Sequence, residues 1–122
     1  MLKPVTPIDI SLFEKITSSF FEQLMDQLEV QFSENFDEIE IENGALRIVL
    51  RGPNTKEYTF LVTRHTPTRQ LWYASPFSGA THFMLMDSIW TSTQDAHVTF
   101  PKLLAVELTL IICQEVTLLH VS

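Results

Sequence analysis

Two groups of residues in this chain could carry chemistry: an acidic first third and a polar, aromatic stretch near the middle. Residues 1–42 hold ten carboxylates against two lysines, whereas residues 43–122 hold five carboxylates against six basic residues. Essentially all of the net charge of −7 therefore lies in the first third. A field polarised in this way attracts cations or a basic protein surface and repels nucleic acid, so nucleic-acid binding is not expected.

The acidic third offers carboxylate oxygens, which are hard ligands suited to Fe²⁺, Fe³⁺, Mn²⁺ and Ca²⁺ but unable to select tightly among them. Glu22, Asp26 and Glu29 recur at helical spacing and share one solvent face. Carboxylates spread along a helix face and a strand cannot form a six-ligand cage, so any metal should bind weakly and exchange. The competing interpretation is an ordinary solvated helix face. The concentration of like charge favours a partner or an ion, because mutual repulsion destabilises the fold.

The second group is the stretch Thr63–Gly79, in which one strand ends, the chain turns, and another strand follows. Because side chains alternate along a strand, Leu71 and Tyr73 face one way and Trp72 faces the other. One large aromatic group is therefore expected to point away from the core, as a protein-binding anchor does. The competing interpretation buries both aromatic groups beneath other elements. The polar and basic residues expected to flank the displayed ring are Arg64, Arg69 and Gln70.

The sequence contains no recognisable enzyme motif: it has no phosphate-binding glycine loop, no Gly-x-Ser-x-Gly and no histidine pair at metal-ligand spacing. No catalytic residue is predicted. Neighbouring strands could bring His65 and His82 together beside Trp72, as a weak metal site or a pH-sensitive contact. Ordinary surface histidines are the simpler interpretation.

The composition predicts one globular domain over residues 1–122. The chain is 45% hydrophobic and 19% charged, which is typical of a folded domain with its own core. Its only cysteine, Cys113, excludes an internal disulfide and lies in an apolar run, where a buried, inert thiol is expected. No apolar run approaches about 20 residues, so no membrane span is predicted.

Hydrophobic periodicity predicts a helix near each end of the chain. The first covers about residues 11–31 and begins at a capping box formed by Ser11 and Glu14. The second begins at Pro101, with Thr99 as its cap. The apolar stripe of the first helix comprises Leu12, Phe13, Ile16, Phe20, Phe21, Leu24, Met25 and Leu28.

Alternating patterns and turn residues predict about six strands between the helices. Asn43-Gly44 indicates a tight hairpin, with Arg47 positioned to contact a glutamate on the preceding strand. Helices at the two ends and strands between them predict an α+β fold. The expected architecture is a two-layer sandwich, an antiparallel sheet covered on one face by the N- and C-terminal helices. The predicted strands are residues 37–42, 45–50, 58–62, 70–74, 81–86 and a short piece at 89–91.

The middle of the chain resembles the central signature of the frataxin family. The similarity extends to Phe83, Trp90 and the run Leu103–Thr109, and with the acidic first third it covers most of the chain. Thr63 and His65 depart from it, since the family usually has Asn and Gln there. The residues that match the signature are Pro67, Gln70, Leu71, Trp72, Ser75, Pro76, Ser78 and Gly79.

The resemblance implies a role in iron–sulfur cluster assembly, with a cysteine desulfurase and an iron–sulfur scaffold protein as partners and iron as a weakly held, exchangeable ligand. A monomer is expected, in the mitochondrial matrix or a related organelle, or in the cytoplasm if the chain is bacterial. By position in the family, the candidate iron ligands are Glu22, Asp26, Glu29, Glu34, Asp37, Glu38 and Glu40. The candidate partner-binding residues are Thr63, His65, Thr66, Pro67, Thr68, Gln70, Trp72, Ser75, Pro76 and His82.

Two other functions stay open on the sequence. A ferroxidase or iron-storing oligomer, an activity also ascribed to the family, would require carboxylates close enough to hold two irons. A metal-independent interaction module would use the acidic face only to bind a basic protein.

Overall fold

The fold has two helices and seven strands in a computed structural model that describes residues 8–32, 34–52 and 55–112. A 3₁₀ turn, Thr66–Thr68, joins the third strand to the fourth. The strands form one antiparallel sheet in which neighbours along the chain are neighbours in space. The elements are α1 (Ile10–Phe32), β1 (Phe36–Glu42), β2 (Ala45–Arg51), β3 (Glu57–His65), β4 (Gln70–Ser75), β5 (Gly79–Met86), β6 (Ile89–Ser92), β7 (Thr99–Phe100) and α2 (Lys102–Ile112).

The predicted α+β sandwich is confirmed, with one strand more than expected. The additional strand is β7, which pairs with β6 through Thr91 and Thr99. Thr99 is therefore a strand residue, and its predicted role as a helix cap is wrong. Two residues are too few for a periodic pattern, which is why the sequence did not reveal this strand.

Helix α1 begins one residue earlier than predicted and has a different cap. The carboxylate of Asp9 accepts a hydrogen bond from the Leu12 backbone N–H at 3.3 Å, so the capping box at Ser11 is wrong. With the start moved, Leu12 lies at the edge of the apolar stripe and is 48% exposed. The rest of the stripe packs on the sheet as predicted.

The hairpin between β1 and β2 turns at Asn43-Gly44, as predicted. Both residues have positive φ angles, 51° and 76°, which is the backbone of a two-residue hairpin turn and suits Asn and Gly. A side chain at Gly44 would meet the guanidinium of Arg64 within 3.1 Å. The positive φ is therefore the main reason for glycine at this position, since the Arg64 side chain would have to shift by only a few tenths of an ångström.

The core lies between the two helices and one face of the sheet. At its centre Phe20 of α1 packs against Trp90 at 6.0 Å and Phe100 at 5.9 Å between ring centroids. Aromatic rings at these distances and tilts add to the stability that burial provides. This cluster joins α1 to β6 and β7.

One polar pair lies inside this core. The Tyr73 hydroxyl donates a 2.5 Å hydrogen bond to the carboxylate of Glu107 on α2, a residue that is only 4% exposed. Burial and the neighbouring carboxylate together raise the pKa of Tyr73 above its ordinary value. Glu107 therefore has a partner for its charge, as buried carboxylates require.

Some sequence predictions fall outside the described residues, among them the buried thiol of Cys113 and the end of the second helix beyond Ile112. Neither described helix is long and apolar enough to cross a membrane.

Candidate functional site

The outer face of the sheet, opposite the helices, carries a stack of three rings. The indole of Trp72 on β4 lies between the imidazoles of His65 on β3 and His82 on β5. The ring centroids are 3.6 Å and 4.3 Å apart, and the planes are within 12° and 7° of parallel. We call these three residues the aromatic ladder. It is built by strand register, because β4 pairs Trp72 with His82 directly and places His65 diagonally across from it.

Two hydrogen bonds hold the aromatic ladder in place. The Trp72 indole N–H donates to the side-chain oxygen of Gln70 at 2.8 Å. The Nδ1 atom of His65 lies 2.7 Å from the Thr68 hydroxyl, on the 3₁₀ turn. Both partners come from the polar sequence around the turn, so the predicted binding residues support one another.

The turns on either side of β4 have the geometry that their sequences predict. Pro67 lies in the first turn of the 3₁₀ segment, and Arg69 closes it with a positive φ of 55°. At the other end, the Ser75 hydroxyl accepts hydrogen bonds from the backbone N–H groups of Phe77 and Ser78 at 2.9 Å and 3.3 Å. Pro67 and Pro76 are both exposed, and Thr66 is half-buried.

The expectation that Arg64 and Arg69 flank the displayed ring is wrong. The Arg64 guanidinium donates to the Glu14 carbonyl and the Ser18 hydroxyl of α1, at 3.3 Å and 3.0 Å. The Arg69 guanidinium donates to the Ile8 carbonyl at 2.9 Å. Both arginines therefore attach the start of α1 to the sheet. For Arg64 the reason is alternation along β3, since it pairs with Leu71, which faces the core.

The two histidines of the aromatic ladder do not form a shared metal site. His65 and His82 lie on opposite faces of the indole, so their nitrogens do not converge on one ion. Across the described ranges, no three His, Cys, Asp or Glu side chains come together as a metal-binding group.

The predicted iron ligands fall into two sets. Glu22, Asp26 and Glu29 are exposed on the solvent face of α1, and Glu34 is exposed just before β1. On β1, Asp37 forms an ion pair with Arg51 at 2.9 Å, and Glu38 forms one with Arg47.

We call the seven predicted iron ligands the acidic ridge. Its carboxylate oxygens have the right chemistry for iron but no enclosing geometry, because each set is spread along one element and exposed to water. In the described part of the chain, the ridge members without an ion pair are Glu22, Asp26, Glu29, Glu34 and Glu40.

A single cross-strand row connects the acidic edge of the sheet to the aromatic ladder. The register places Glu42, Ala45, Thr63, Trp72 and His82 side by side on β1 to β5. The two residues between the acidic edge and Trp72, Ala45 and Thr63, have small, half-buried side chains.

Sequence reasoning missed one contact and one buried partner. Thr68 was predicted as a partner-binding residue, but not as a neighbour of His65, whose Nδ1 atom lies within hydrogen-bond distance of the Thr68 hydroxyl. Glu107 lies within the apolar stripe of α2, between Leu104 and Leu108. A single acidic residue within an apolar helical stripe is the signal that could have revealed this buried pair, because a buried carboxylate needs a hydrogen-bond partner.

Comparison with known proteins identifies the class to which this fold and surface belong. The family model of the Frataxin-like domain matches residues 6–114. Yeast frataxin, including a trimeric crystal form described as complexed with ferrous iron, superposes with a TM-score of 0.66. The coverage is 93% of this chain and 94% of the yeast chain, at 20–21% identity, which establishes the fold.

A curated relative, "Frataxin, mitochondrial" from Dictyostelium discoideum, is 32% identical over 99 residues. The match covers 76% of this chain and 48% of the relative, so the chain spans about half the length of that protein. This chain belongs to the frataxin family. The resemblance inferred from the central signature is thereby confirmed.

Proposed function

We propose that this frataxin-family chain regulates iron–sulfur cluster assembly by docking on a cysteine desulfurase–scaffold complex through the outer face of its sheet. The observation that carries the proposal is the position of Trp72. It lies in the family signature, on the side of the sheet away from the helices, and is only partly buried. Tryptophan is enriched among the few residues that dominate binding energy at protein interfaces.

The acidic ridge supplies the second part of this proposal. Its exposed carboxylates face water along α1 and β1, where they attract a basic surface and raise the rate of encounter. The same oxygens hold iron loosely, as cargo that exchanges readily. The ferrous iron named for the yeast structure is consistent with this role.

Cellular location and assembly state are also part of the proposal. The mitochondrial location named for the Dictyostelium relative is carried over to this chain. The monomeric state remains a prediction, and the trimer named for yeast frataxin is the alternative to it. Sedimentation with and without Fe²⁺ distinguishes them.

The test of the proposed function is the effect of Trp72→Ala on sulfide production by a matched desulfurase–scaffold complex. We expect the wild-type chain to change the rate and the variant to bind about 2 kcal/mol more weakly, roughly a thirtyfold loss of affinity. Folding should stay cooperative, because Trp72 lies outside the core.

Ile89→Ala is the matched control, since Ile89 is also a large, partly exposed apolar residue of the sheet but lies outside the candidate surface. An effect of Trp72→Ala no larger than that of Ile89→Ala would rule out the anchor. A wild-type chain without effect at saturating concentration would rule out the regulator itself.

Iron binding is tested by titrating Fe²⁺ while amide signals are followed by NMR. We expect changes concentrated between residues 22 and 40 and absent near Asp87 and Asp95, which are exposed carboxylates outside the acidic ridge. Replacing Glu22, Asp26 and Glu29 with glutamine should remove the changes on α1 and leave those on β1. Titration without localised changes would favour a metal-independent interaction module.

The ferroxidase alternative is the weaker one. It requires carboxylates that approach closely enough to hold two irons. Among the residues that the structure describes, no cluster of three potential ligands forms, and two ridge carboxylates are already paired with arginines. The regulator is therefore preferred.

A further inference from the structure

The aromatic ladder leaves neither face of Trp72 open to a partner. Imidazole rings cover both faces of the indole, and its N–H is already bonded to Gln70. A partner that binds this surface therefore contacts the edges of three stacked rings rather than the flat face of one. The polar atoms on those edges belong to His65 and His82, and histidine is the residue type that most readily changes charge near neutral pH.

Protonation of the two histidines would not disrupt the aromatic ladder. An imidazolium above or below an indole is attracted by the ring quadrupole, so a charged histidine keeps its position. The Thr68 hydroxyl can accept a hydrogen bond from the Nδ1–H group of His65, both in the imidazolium and in the neutral tautomer protonated at Nδ1, so this contact also survives. Acidification therefore changes the charge of the surface without dismantling it.

The residues that pair with the aromatic ladder in the sheet do not neutralise that charge. Its immediate neighbours on the outer face are Thr63, Gln70 and Met84, all uncharged. On the same side of the sheet, the β1–β2 edge carries Glu38, Glu40, Glu42 and Arg47. Asp95 shares with His82 the lining of a cavity of about 470 Å³. Arg64 and Arg69 point to the helix side.

We propose that the aromatic ladder is a pH gate on docking: the neutral stack accepts a basic partner surface, and the protonated stack repels it. The inference rests on the proposed function, because the reason to expect a basic partner surface is the acidic edge in the same cross-strand row. Since like charges in contact oppose one another, we expect affinity to fall roughly fivefold to tenfold between pH 8 and pH 6.

The test measures the dissociation constant for the desulfurase–scaffold complex at pH 6, 7 and 8, with wild-type protein and with the double variant His65→Gln/His82→Gln. Glutamine retains a polar amide at each position and does not titrate. The readout is the ratio of the constants at pH 6 and pH 8 within each protein, so a general loss of affinity in the variant does not affect it. We expect a ratio of about five to ten for the wild type and about one for the variant.

Tryptophan emission provides a second readout that needs no partner. The other tryptophan, Trp90, packs edge-on against Phe13 and at a tilt against Phe20, and among the described residues no histidine ring packs on it. The emission of the wild type should therefore change between pH 5 and 8, and that change should disappear in the double variant.

The possible outcomes distinguish a failure of the pH gate from a failure of the proposed regulatory function. Equal ratios in the two proteins, or a wild-type ratio near one, would overturn the gate while binding at pH 8 still supports the regulator. A wild-type chain that fails to bind at any pH would overturn both. Emission that changes identically in the two proteins would show that the histidines do not titrate against Trp72, and would also overturn the gate.

Discussion

Replacing Phe20 with alanine is expected to lower the free energy of unfolding by about 3–5 kcal/mol, the range for large aromatic truncations in cores. Phe20 is fully buried and packs against Phe21, Trp90 and Phe100. Its removal leaves a cavity at the junction of α1 with β6 and β7, where backbone from three elements limits collapse. Urea unfolding followed by far-ultraviolet circular dichroism measures the change.

Leu12→Ala is the matched control for this experiment. Leu12 belongs to the same helix and the same apolar pattern in the sequence, but half of it is exposed. We expect its replacement to change stability by no more than about 0.5 kcal/mol, as is usual for surface positions. Similar losses from the two substitutions would contradict the burial assigned to each.

The second large effect is expected from Tyr73→Phe, which removes one hydroxyl group. The Glu107 carboxylate, 4% exposed, would lose its hydrogen-bond donor while remaining buried. Leaving a buried polar group unsatisfied costs about 1–3 kcal/mol, and more when the group is charged. Thermal and urea unfolding at pH 7 measure the loss.

The double variant Tyr73→Phe/Glu107→Leu tests the cause. Replacing both partners with apolar groups should recover most of the stability, because no buried polar group is then left unpaired. A double variant as unstable as Tyr73→Phe would show that the hydrogen bond is not the reason.

The same pair predicts a specific response to alkali. The pKa of Tyr73 is raised in the folded protein, so its hydroxyl stays protonated when that of the unfolded chain ionises near pH 10. The stability from this group is therefore fully present below pH 10 and declines as the pH rises above it. Tyr73→Phe should lose this part of the alkaline dependence.

The fold could largely be predicted from the sequence because its strongest patterns are local. Six strands, both helices and the Asn43-Gly44 hairpin follow from periodicity and turn chemistry. The errors lie where the local sequence fits two structures equally well. Asp9 and Ser11 are both good helix caps, and the apolar stripe fits either start. Thr99 could belong to a strand or cap a helix, and only its pairing with β6 shows that it is a strand residue.

The site could be predicted only in part, because its decisive contacts join distant residues. Alternation placed Trp72 and Tyr73 on opposite faces of β4 and predicted that one of them is displayed, and the family resemblance selected Trp72. It could not reveal that His65 and His82 cover both faces of the indole, since that depends on the register of three strands. Nor could it name Glu14 and Ser18 of α1 as the partners of Arg64, because those residues are 46 to 50 positions away in the sequence.

The cross-strand row fixes the distance between the acidic edge and the aromatic ladder on the outer face. Glu42 and Trp72 stand three strands apart, and at 4.7–4.9 Å per strand their backbones are separated by about 14 Å. A typical interface buries about 800 Å² on each partner, a patch roughly twice that wide. One rigid partner can therefore span the row, provided that its basic group and its contact with the stacked rings are spaced to match. Under the proposed function, the sheet fixes the distance between the two groups that a partner has to supply, so that distance as well as charge would decide which partners bind.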